Sequence, residues 1–265
     1  MWRFTGNIRK GDTMIRLENV SVQYPGKVIA LSPTTLEFPR GTFTVILGSS
    51  GAGKSTLLRC LNMLTRPSGG AITVECVGEI TANKRLLRKH RLRTGMIFQQ
   101  HQLIGRHNAL KNVLVGRVGH YGTFRSFLPL AAHDQKLALE CLHRVGLLDF
   151  ALQRVDSLSG GQQQRVGIAR ALAQKPQIIL ADEPIASLDP ATSGDILSLL
   201  YRVTKEDQLT TIVSLHQVEF AKEYGDRIIG LASGKVVFEG TTTDLDDRSL
   251  AKIYGQENQK ADWAA

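Results

Sequence analysis

The chain has 265 residues, of which 42% are hydrophobic and 22% are charged, and its formal net charge is +9. This length and composition predict a globular protein with a sizeable core, and they exclude a fibre or a disordered linker. The cysteines at 60, 76 and 141 form no C-x-x-C pair, and no apolar run approaches the roughly 18 residues of a membrane span, so we expect neither a disulfide framework, nor a zinc ribbon, nor a membrane-spanning helix. Residues 1–13 lack the apolar stretch of a secretory signal, and we interpret them as an N-terminal arm or a misplaced start.

The first third of the chain predicts strands, then a helix, then further strands. The predicted strands lie within residues 14–47 and at 71–77 and 94–98, and a helix is predicted at 54–64. The densest basic run, residues 84–93, has leucines at helical spacing. We therefore favour a solvated amphipathic helix there over a tract that binds nucleic acid.

The rest of the chain predicts a helical stretch followed by alternating helices and strands. Residues 134–145 have the apolar period of a helix, whereas the glycine- and aromatic-rich residues 116–130 predict a loop or an interrupted helix. The later elements are helices at 162–174, 191–201 and 217–224, strands at 177–180 and 210–214, and a hairpin of 227–231 with 235–239. This alternation predicts an α/β fold with a largely parallel central sheet and a helical insertion in its middle third.

A phosphate-binding motif follows the predicted strand that ends at residue 47. Residues 48–56 match G-x-x-x-x-G-K-[ST] and open the predicted helix. Glycines let backbone N–H groups turn toward phosphates, Lys54 supplies a positive charge, and the Ser55 hydroxyl is able to bind Mg²⁺. The alternative is a glycine-rich turn with an exposed lysine. The predicted nucleotide contacts are Gly48, Ser49, Ser50, Gly51, Ala52, Gly53, Lys54, Ser55 and Thr56.

Two further motifs carry chemistry. The apolar strand at 177–180 leads to Asp182 and Glu183, which suit binding of magnesium and polarisation of a water molecule respectively; the alternative is a turn with two solvated acids. Residues 158–162, LSGGQ, precede a helix and predict a second anion site, with a plain helix N-cap as the alternative. The residues predicted to bind nucleotide there are Ser159, Gly160, Gly161 and Gln162.

Together, GSSGAGKST, LSGGQ and ILADEP resemble the Walker A, signature and Walker B motifs of the ABC transporter ATPases, in that family's order. The resemblance implies one domain over residues 14–255, with a tail at 256–265. Its parts are a P-loop NTPase (RecA-like) core at about 14–99 and 163–255, an antiparallel β subdomain and an inserted α-helical subdomain at about 100–162. It also implies that Tyr24 stacks on adenine, that Gln99 reaches Mg²⁺ and the attacking water, that residues 187–189 form the D-loop, and that His216 contacts the γ-phosphate.

The resemblance also implies the partners. Two such cassettes pair head to tail, with ATP between the Walker A loop of one and the signature residues of the other. Residues 96–100, 158–174, 181–190 and 214–218 are most similar to the phosphonate/phosphite importer ATPases. Such a subunit acts at the cytoplasmic face of the bacterial inner membrane, on two permease subunits served by a periplasmic binding protein. His107 and Lys111 stand where that family more usually has leucine and glutamate.

Other functions stay open on the sequence alone. The first alternative is an importer ATPase for another small solute, because no feature of the sequence identifies the solute that is transported. A soluble ABC ATPase acting on nucleic acid is another, favoured by the charge of +9. That class usually has two cassettes, zinc cysteines or coiled-coil insertions, which this sequence lacks, so we expect no specific nucleic-acid partner. An exporter subunit and a P-loop kinase are the remaining alternatives.

Overall fold

The computed structural model describes residues 13–26, 28–81, 83–121 and 131–255. The strands within these residues are β1 (Thr13–Tyr24), β2 (Val28–Pro39), β3 (Phe43–Leu47), β4 (Gly69–Val74), β5 (Gly78–Glu79), β6 (Thr94–Ile97), β7 (Ile178–Asp182), β8 (Thr210–Leu215), β9 (Arg227–Ala232) and β10 (Lys235–Gly240). The α-helices are α1 (Lys54–Leu61), α2 (Lys84–Leu92), α3 (Ala109–Val118), α4 (Ala132–Arg144), α5 (Gly160–Ala173), α6 (Pro190–Glu206), α7 (Val218–Tyr224) and α8 (Asp247–Tyr254). None of these helices is both long enough and apolar enough to cross a lipid bilayer.

The larger sheet has six strands in the order β10-β9-β3-β8-β7-β6. Every neighbouring pair from β9 to β6 is parallel, and only β10 runs antiparallel to its neighbour β9. The predicted α/β fold with a largely parallel sheet is confirmed. Since parallel strands end at the same edge, the residues that follow β3, β6, β7 and β8 lie at one edge of the sheet, where open α/β folds bind ligands.

Both faces of this sheet are covered, as alternate side chains of β7 show. Ile178 and Leu180 join an apolar cluster with α1 and the strands of the smaller sheet, whereas Ile179 and Ala181 join a second cluster with residues of α3 to α8. Side chains of a strand alternate between faces, so a continuous apolar run is expected only for a strand buried on both sides. The covered sheet gives the residues at its carboxyl edge a rigid support.

The smaller sheet is antiparallel, in the order β2-β1-β4-β5, and it matches the antiparallel β subdomain expected from the resemblance. The turn between β9 and β10 connects this sheet to the loop that precedes α1. Gly234 accepts a hydrogen bond from the Ser32 N–H at 2.8 Å and donates its own N–H to the Ala52 carbonyl at 3.0 Å. The loop before α1 is therefore supported from both sheets.

A buried ion pair joins the three helices α3, α4 and α5. The Arg117 guanidinium of α3 donates to Asp134 Oδ1 of α4 at 2.8 Å and to the Ala173 carbonyl at the end of α5 at 3.1 Å. The Tyr121 hydroxyl donates to the other oxygen of Asp134, whose carboxylate is completely buried. Because an unpaired buried charge is costly, this pair fixes how the three helices pack.

Several predicted boundaries were wrong. The helix predicted at 54–64 ends at Leu61, because the backbone becomes left-handed at Met63, where φ is 53°. The strand predicted at 71–77 begins earlier and ends earlier, at Gly69–Val74. The helix predicted at 162–174 begins two residues earlier, at Gly160, and ends at Ala173.

The prediction of a loop or an interrupted helix at 116–130 was wrong at its start, since Gly116 lies inside α3. A Cβ at this position would lie 2.3 Å from the Arg170 carbonyl, so the glycine allows α3 to approach α5 closely. Residues 122–130 of the predicted loop lie outside the described residues. The sequence also gave no prediction for α8, a short helix that buries Leu250 and Ile253.

Candidate nucleotide-binding and hydrolysis site

The glycine-rich loop at 48–53 joins β3 to α1. Its last position, residue 53, has a backbone conformation and surroundings that accommodate only glycine. Gly53 has a φ of 104°, and a Cβ there would lie 2.6 Å from the Ala30 carbonyl. No side chain caps the N-terminus of α1, and its first turn has no acidic residue. The first N–H groups of a helix have no partner within the helix, so this turn is suited to accept a phosphate.

Lys54 is almost completely buried, with 3% of its side chain exposed. Its Nζ donates to the carbonyls of Gly48 at 2.8 Å and Ser49 at 3.1 Å, and it lies 3.8 Å from Glu183 Oε1. Burial lowers the pKa of Lys54, and the carboxylates of Glu183 and Asp182 oppose that shift. A buried ammonium group in this position favours an anionic ligand.

Asp182 is the last residue of β7, and it contacts the first turn of α1. Its Oδ1 accepts hydrogen bonds from Ser55 Oγ at 2.7 Å and from Ser214 Oγ of β8 at 3.1 Å. The structure thus brings together the hydroxyl and the carboxylate that the sequence predicted for magnesium. Both are hard oxygen ligands of the kind that Mg²⁺ prefers.

Glu183 lies directly after β7 in a left-handed conformation, with a φ of 46°. Its backbone N–H donates to Ser214 Oγ at 2.9 Å, and its Oε1 is 2.7 Å from His216 Nε2. The hydrogen bond from His216 lowers the pKa of the Glu183 carboxyl group, burial opposes this, and the charge of Lys54 adds to it. Glu183 is therefore a carboxylate at neutral pH, able to accept a proton from water.

His216 follows β8 and completes the cluster around Lys54. Its ring nitrogens lie 3.3 and 3.4 Å from Lys54 Nζ. Its backbone carbonyl accepts a hydrogen bond from the Tyr254 hydroxyl of α8 at 2.8 Å. Sequence reasoning assigned no role to Ser214, although it lies in the compared segment 214–218, or to Tyr254, which reaches the site through the packing of α8.

Among the described residues, neither Tyr24 nor Gln99 has a hydrogen bond to Asp182 or Glu183. The Tyr24 hydroxyl is 3.5 Å from Thr56 Oγ1, and the residue is 39% exposed, which leaves its ring open for stacking. Gln99 is exposed two residues after β6, where Ile97 pairs with Ala181. Its position is therefore at the same sheet edge as Asp182.

The structure places Ser159, Gly160, Gly161 and Gln162 at the start of α5, where Ser159 and Gln162 bond to each other. Ser159 Oγ accepts from the Gln162 N–H at 3.3 Å, and Gln162 Oε1 accepts from the Ser159 N–H at 2.9 Å. His101 Nε2 also lies 3.1 Å from the Gly160 carbonyl. Ser159 is thus the N-cap of α5, as the alternative interpretation expected. Because Ser159 and Gly160 are also exposed, this helix start remains accessible to a ligand.

A phosphate-binding loop between a parallel strand and a helix, with acids at the end of a strand in the same sheet, is the arrangement of the P-loop nucleoside triphosphatases, and the chain has their fold. Within that class it belongs to the ABC transporter family, whose sequence model matches residues 31–186. It is accordingly an ATP-binding ATPase, and the kinase alternative is wrong.

Two relatives share most of their length with this chain. The phosphonates import ATP-binding protein PhnC 3 of Nostoc sp. (strain PCC 7120) is 58% identical over 242 residues, which cover 91% of this chain and 92% of that protein. The phosphite import ATP-binding protein PxtA of Stutzerimonas stutzeri is also 58% identical, over 243 residues that cover 92% of this chain and 88% of that protein.

A solved structure of a dimeric ATP-binding cassette in a post-hydrolysis state, bound to ADP and Pi, matches with a TM-score of 0.76. It is 37% identical in sequence, and the match covers 86% of this chain and 99% of that cassette. The fold and the order of its elements are thus those of solved ABC cassettes.

Proposed function

We propose that this protein is the ATP-hydrolysing subunit of a binding-protein-dependent ABC importer for phosphonate or phosphite. The observation that carries the hydrolytic part is the contact of Glu183 with His216, 2.7 Å apart beside the buried Lys54. The two relatives named for phosphonates and phosphite, each 58% identical, support the solute. The proposed location is the cytoplasmic face of the bacterial inner membrane, as a peripheral subunit.

The proposed nucleotide contacts follow from the loop geometry. The N–H groups of residues 48–56 and the ammonium of Lys54 bind the phosphates, and the exposed ring of Tyr24 stacks on the base. Ser55, Asp182 and Gln99 would hold Mg²⁺, which supplies charge neutralisation of the phosphates when it is bound. The Ser55 hydroxyl and Asp182 carboxylate fit this ion because they are oxygen donors 2.7 Å apart.

The proposed catalytic residues are Glu183, His216 and Gln99. Glu183 accepts a proton from the attacking water, since its carboxylate stays ionised at neutral pH. His216 contacts the γ-phosphate and holds Glu183 in place through its ring. Gln99, two residues after β6, the strand that pairs with β7, orients the water.

The proposed assembly is a head-to-tail pair of two copies, each completing the other's site. The start of α5 supports this, because Ser159 and Gly160 are exposed there and are accessible to a second copy. The solved dimeric cassette of similar fold is consistent with this assembly.

Two permease subunits, and through them a periplasmic binding protein, are the other proposed partners. A specific nucleic acid is not a proposed partner. The division into a core at 14–99 and 163–255 and a helical subdomain at 100–162 is proposed with it.

Replacing Lys54 with alanine should weaken ATP binding by about 10- to 100-fold, because a charge-assisted contact is worth about 1.5–3 kcal/mol. Equilibrium binding of a fluorescent ATP analogue by the purified chain would measure this. Lys111→Ala removes an exposed lysine of α3 and should leave the affinity unchanged. Equal affinities for the wild type and Lys54→Ala would contradict the assignment of the phosphate site.

The solute can be tested in proteoliposomes that contain the chain, its permease and a binding protein. We expect ATP hydrolysis to rise when the binding protein is loaded with a phosphonate or with phosphite, and to stay basal with sulfate or with an unloaded binding protein. Stimulation by an unrelated solute, with none by phosphonate or phosphite, would support the alternative of an importer for another substrate.

The nucleic-acid alternative is tested by DNA binding. Salt-sensitive DNA binding with nanomolar affinity at physiological salt would favour that alternative.

A further inference from the structure

The last described helix, α8, ends against the segment that carries His216. Tyr254, its final residue, donates its hydroxyl to the His216 carbonyl at 2.8 Å. The helix is firmly supported, because Leu250 and Ile253 are buried at 2% and 1% exposure. Ile253 packs on Gly230 of β9 so closely that a Cβ there would lie 2.5 Å from Ile253 Cδ1. The phenol is thus presented from a rigid surface.

His216 itself lies in a short link, one of two residues between the end of β8 at Leu215 and the start of α7 at Val218. The other residue, Gln217, precedes α7 without a side-chain capping bond. The imidazole of the same residue contacts Glu183, with 2.7 Å between Nε2 and Oε1. The Tyr254 hydroxyl, by holding the backbone carbonyl of His216, therefore also restricts the position of the His216 ring.

We propose that Tyr254 is a positioning residue for ATP hydrolysis, which acts by holding the backbone of His216 so that its ring stays in contact with Glu183. This inference rests on the proposed roles of His216 and Glu183. It adds α8, the last described helix, to the parts of the fold that set the turnover rate. Tyr254 itself touches no reacting atom.

The test compares Tyr254→Phe with wild type and with Tyr201→Phe. The first variant removes the hydroxyl that donates a hydrogen bond to the His216 carbonyl, and the second removes a hydroxyl from another tyrosine packed on the same apolar cluster. We expect Tyr254→Phe to lower kcat about three- to tenfold with KM for ATP within about twofold, since one hydrogen bond is lost and the phosphate loop is untouched. Tyr201→Phe should keep the wild-type kcat.

A second readout reports on His216 directly and does not depend on turnover. In ¹H–¹³C spectra of the full chain labelled at histidine, the imidazole signal that His216→Ala removes should shift in Tyr254→Phe and stay in place in Tyr201→Phe. An unchanged kcat or an unchanged His216 signal in Tyr254→Phe would overturn the inference.

The same set of variants separates this inference from the function on which it rests. If His216→Ala hydrolyses ATP at the wild-type rate, the proposed role of His216 fails, and the inference fails with it. If His216→Ala loses activity while Tyr254→Phe retains it, only the role of Tyr254 is wrong. Loss in both, with a shifted signal in Tyr254→Phe, supports the two together.

Discussion

Glu183→Gln should lower ATP turnover by about 10²- to 10⁴-fold and leave ATP affinity within about twofold, because a glutamine amide cannot accept the proton that a general base takes. The carboxamide has nearly the same shape as the carboxylate, and its oxygen can still accept a hydrogen bond from the ring of His216, which lies 2.7 Å from Glu183 Oε1. Binding of the phosphates depends on the loop before α1 and on Lys54, which this change does not alter.

Phosphate release and nucleotide binding should be measured on the same preparation. With ATP and Mg²⁺, the variant should also accumulate as a dimer in size-exclusion chromatography, since the nucleotide that would hold the two copies together is not consumed. Glu219→Gln, on the exposed first turn of α7, is the matched control and should hydrolyse ATP normally. Turnover in Glu183→Gln close to wild type would remove Glu183 from its proposed role.

Asp134→Ala should destabilise the protein by about 3 kcal/mol, because it leaves the Arg117 guanidinium buried without its anionic partner. Arg117 is 8% exposed and joins α3 to α4 and to the end of α5, so the effect should extend to the packing of all three helices. Urea unfolding followed by circular dichroism would give the change in the free energy of unfolding. Asp156→Ala, which breaks an exposed ion pair with Arg154, should leave the unfolding midpoint unchanged.

The same carboxylate predicts a dependence of stability on acid. Burial would raise the pKa of Asp134, but the hydrogen bonds from Tyr121 and Arg117 and the nearby His133 outweigh it, so the pKa lies below its ordinary value of 3.8. A depressed pKa stabilises the folded state above the unfolded value, and this contribution is lost as the pH falls through the folded value. Below pH 3.8 the wild type should therefore lose part of its advantage over Asp134→Ala; a constant difference between the two across this range would contradict the assignment.

The parts of the site that could be predicted are those that the chain encodes locally. Residues 48–56 and the acids at the end of β7 each lie next to the strand or helix that orients them, so their spacing was informative. The contact of Tyr254 with His216 joins residues 38 positions apart through the packing of α8 on β9, and no periodicity reports such a contact. Gly116 misled for a related reason: glycine typically marks a loop, but here it serves the close approach of two helices.

The turn at Gly234 makes the phosphate loop part of a joint between the two sheets. Its N–H holds Ala52 in the loop, its carbonyl holds Ser32 in β2, and the space beside Gly53 is closed by the Ala30 carbonyl. A ligand that binds the loop stabilises the contacts that must be intact for binding, by a free energy of RT ln(1 + L/Kd), where L is its free concentration. ATP binding should therefore also stabilise the packing of the small sheet against the large one.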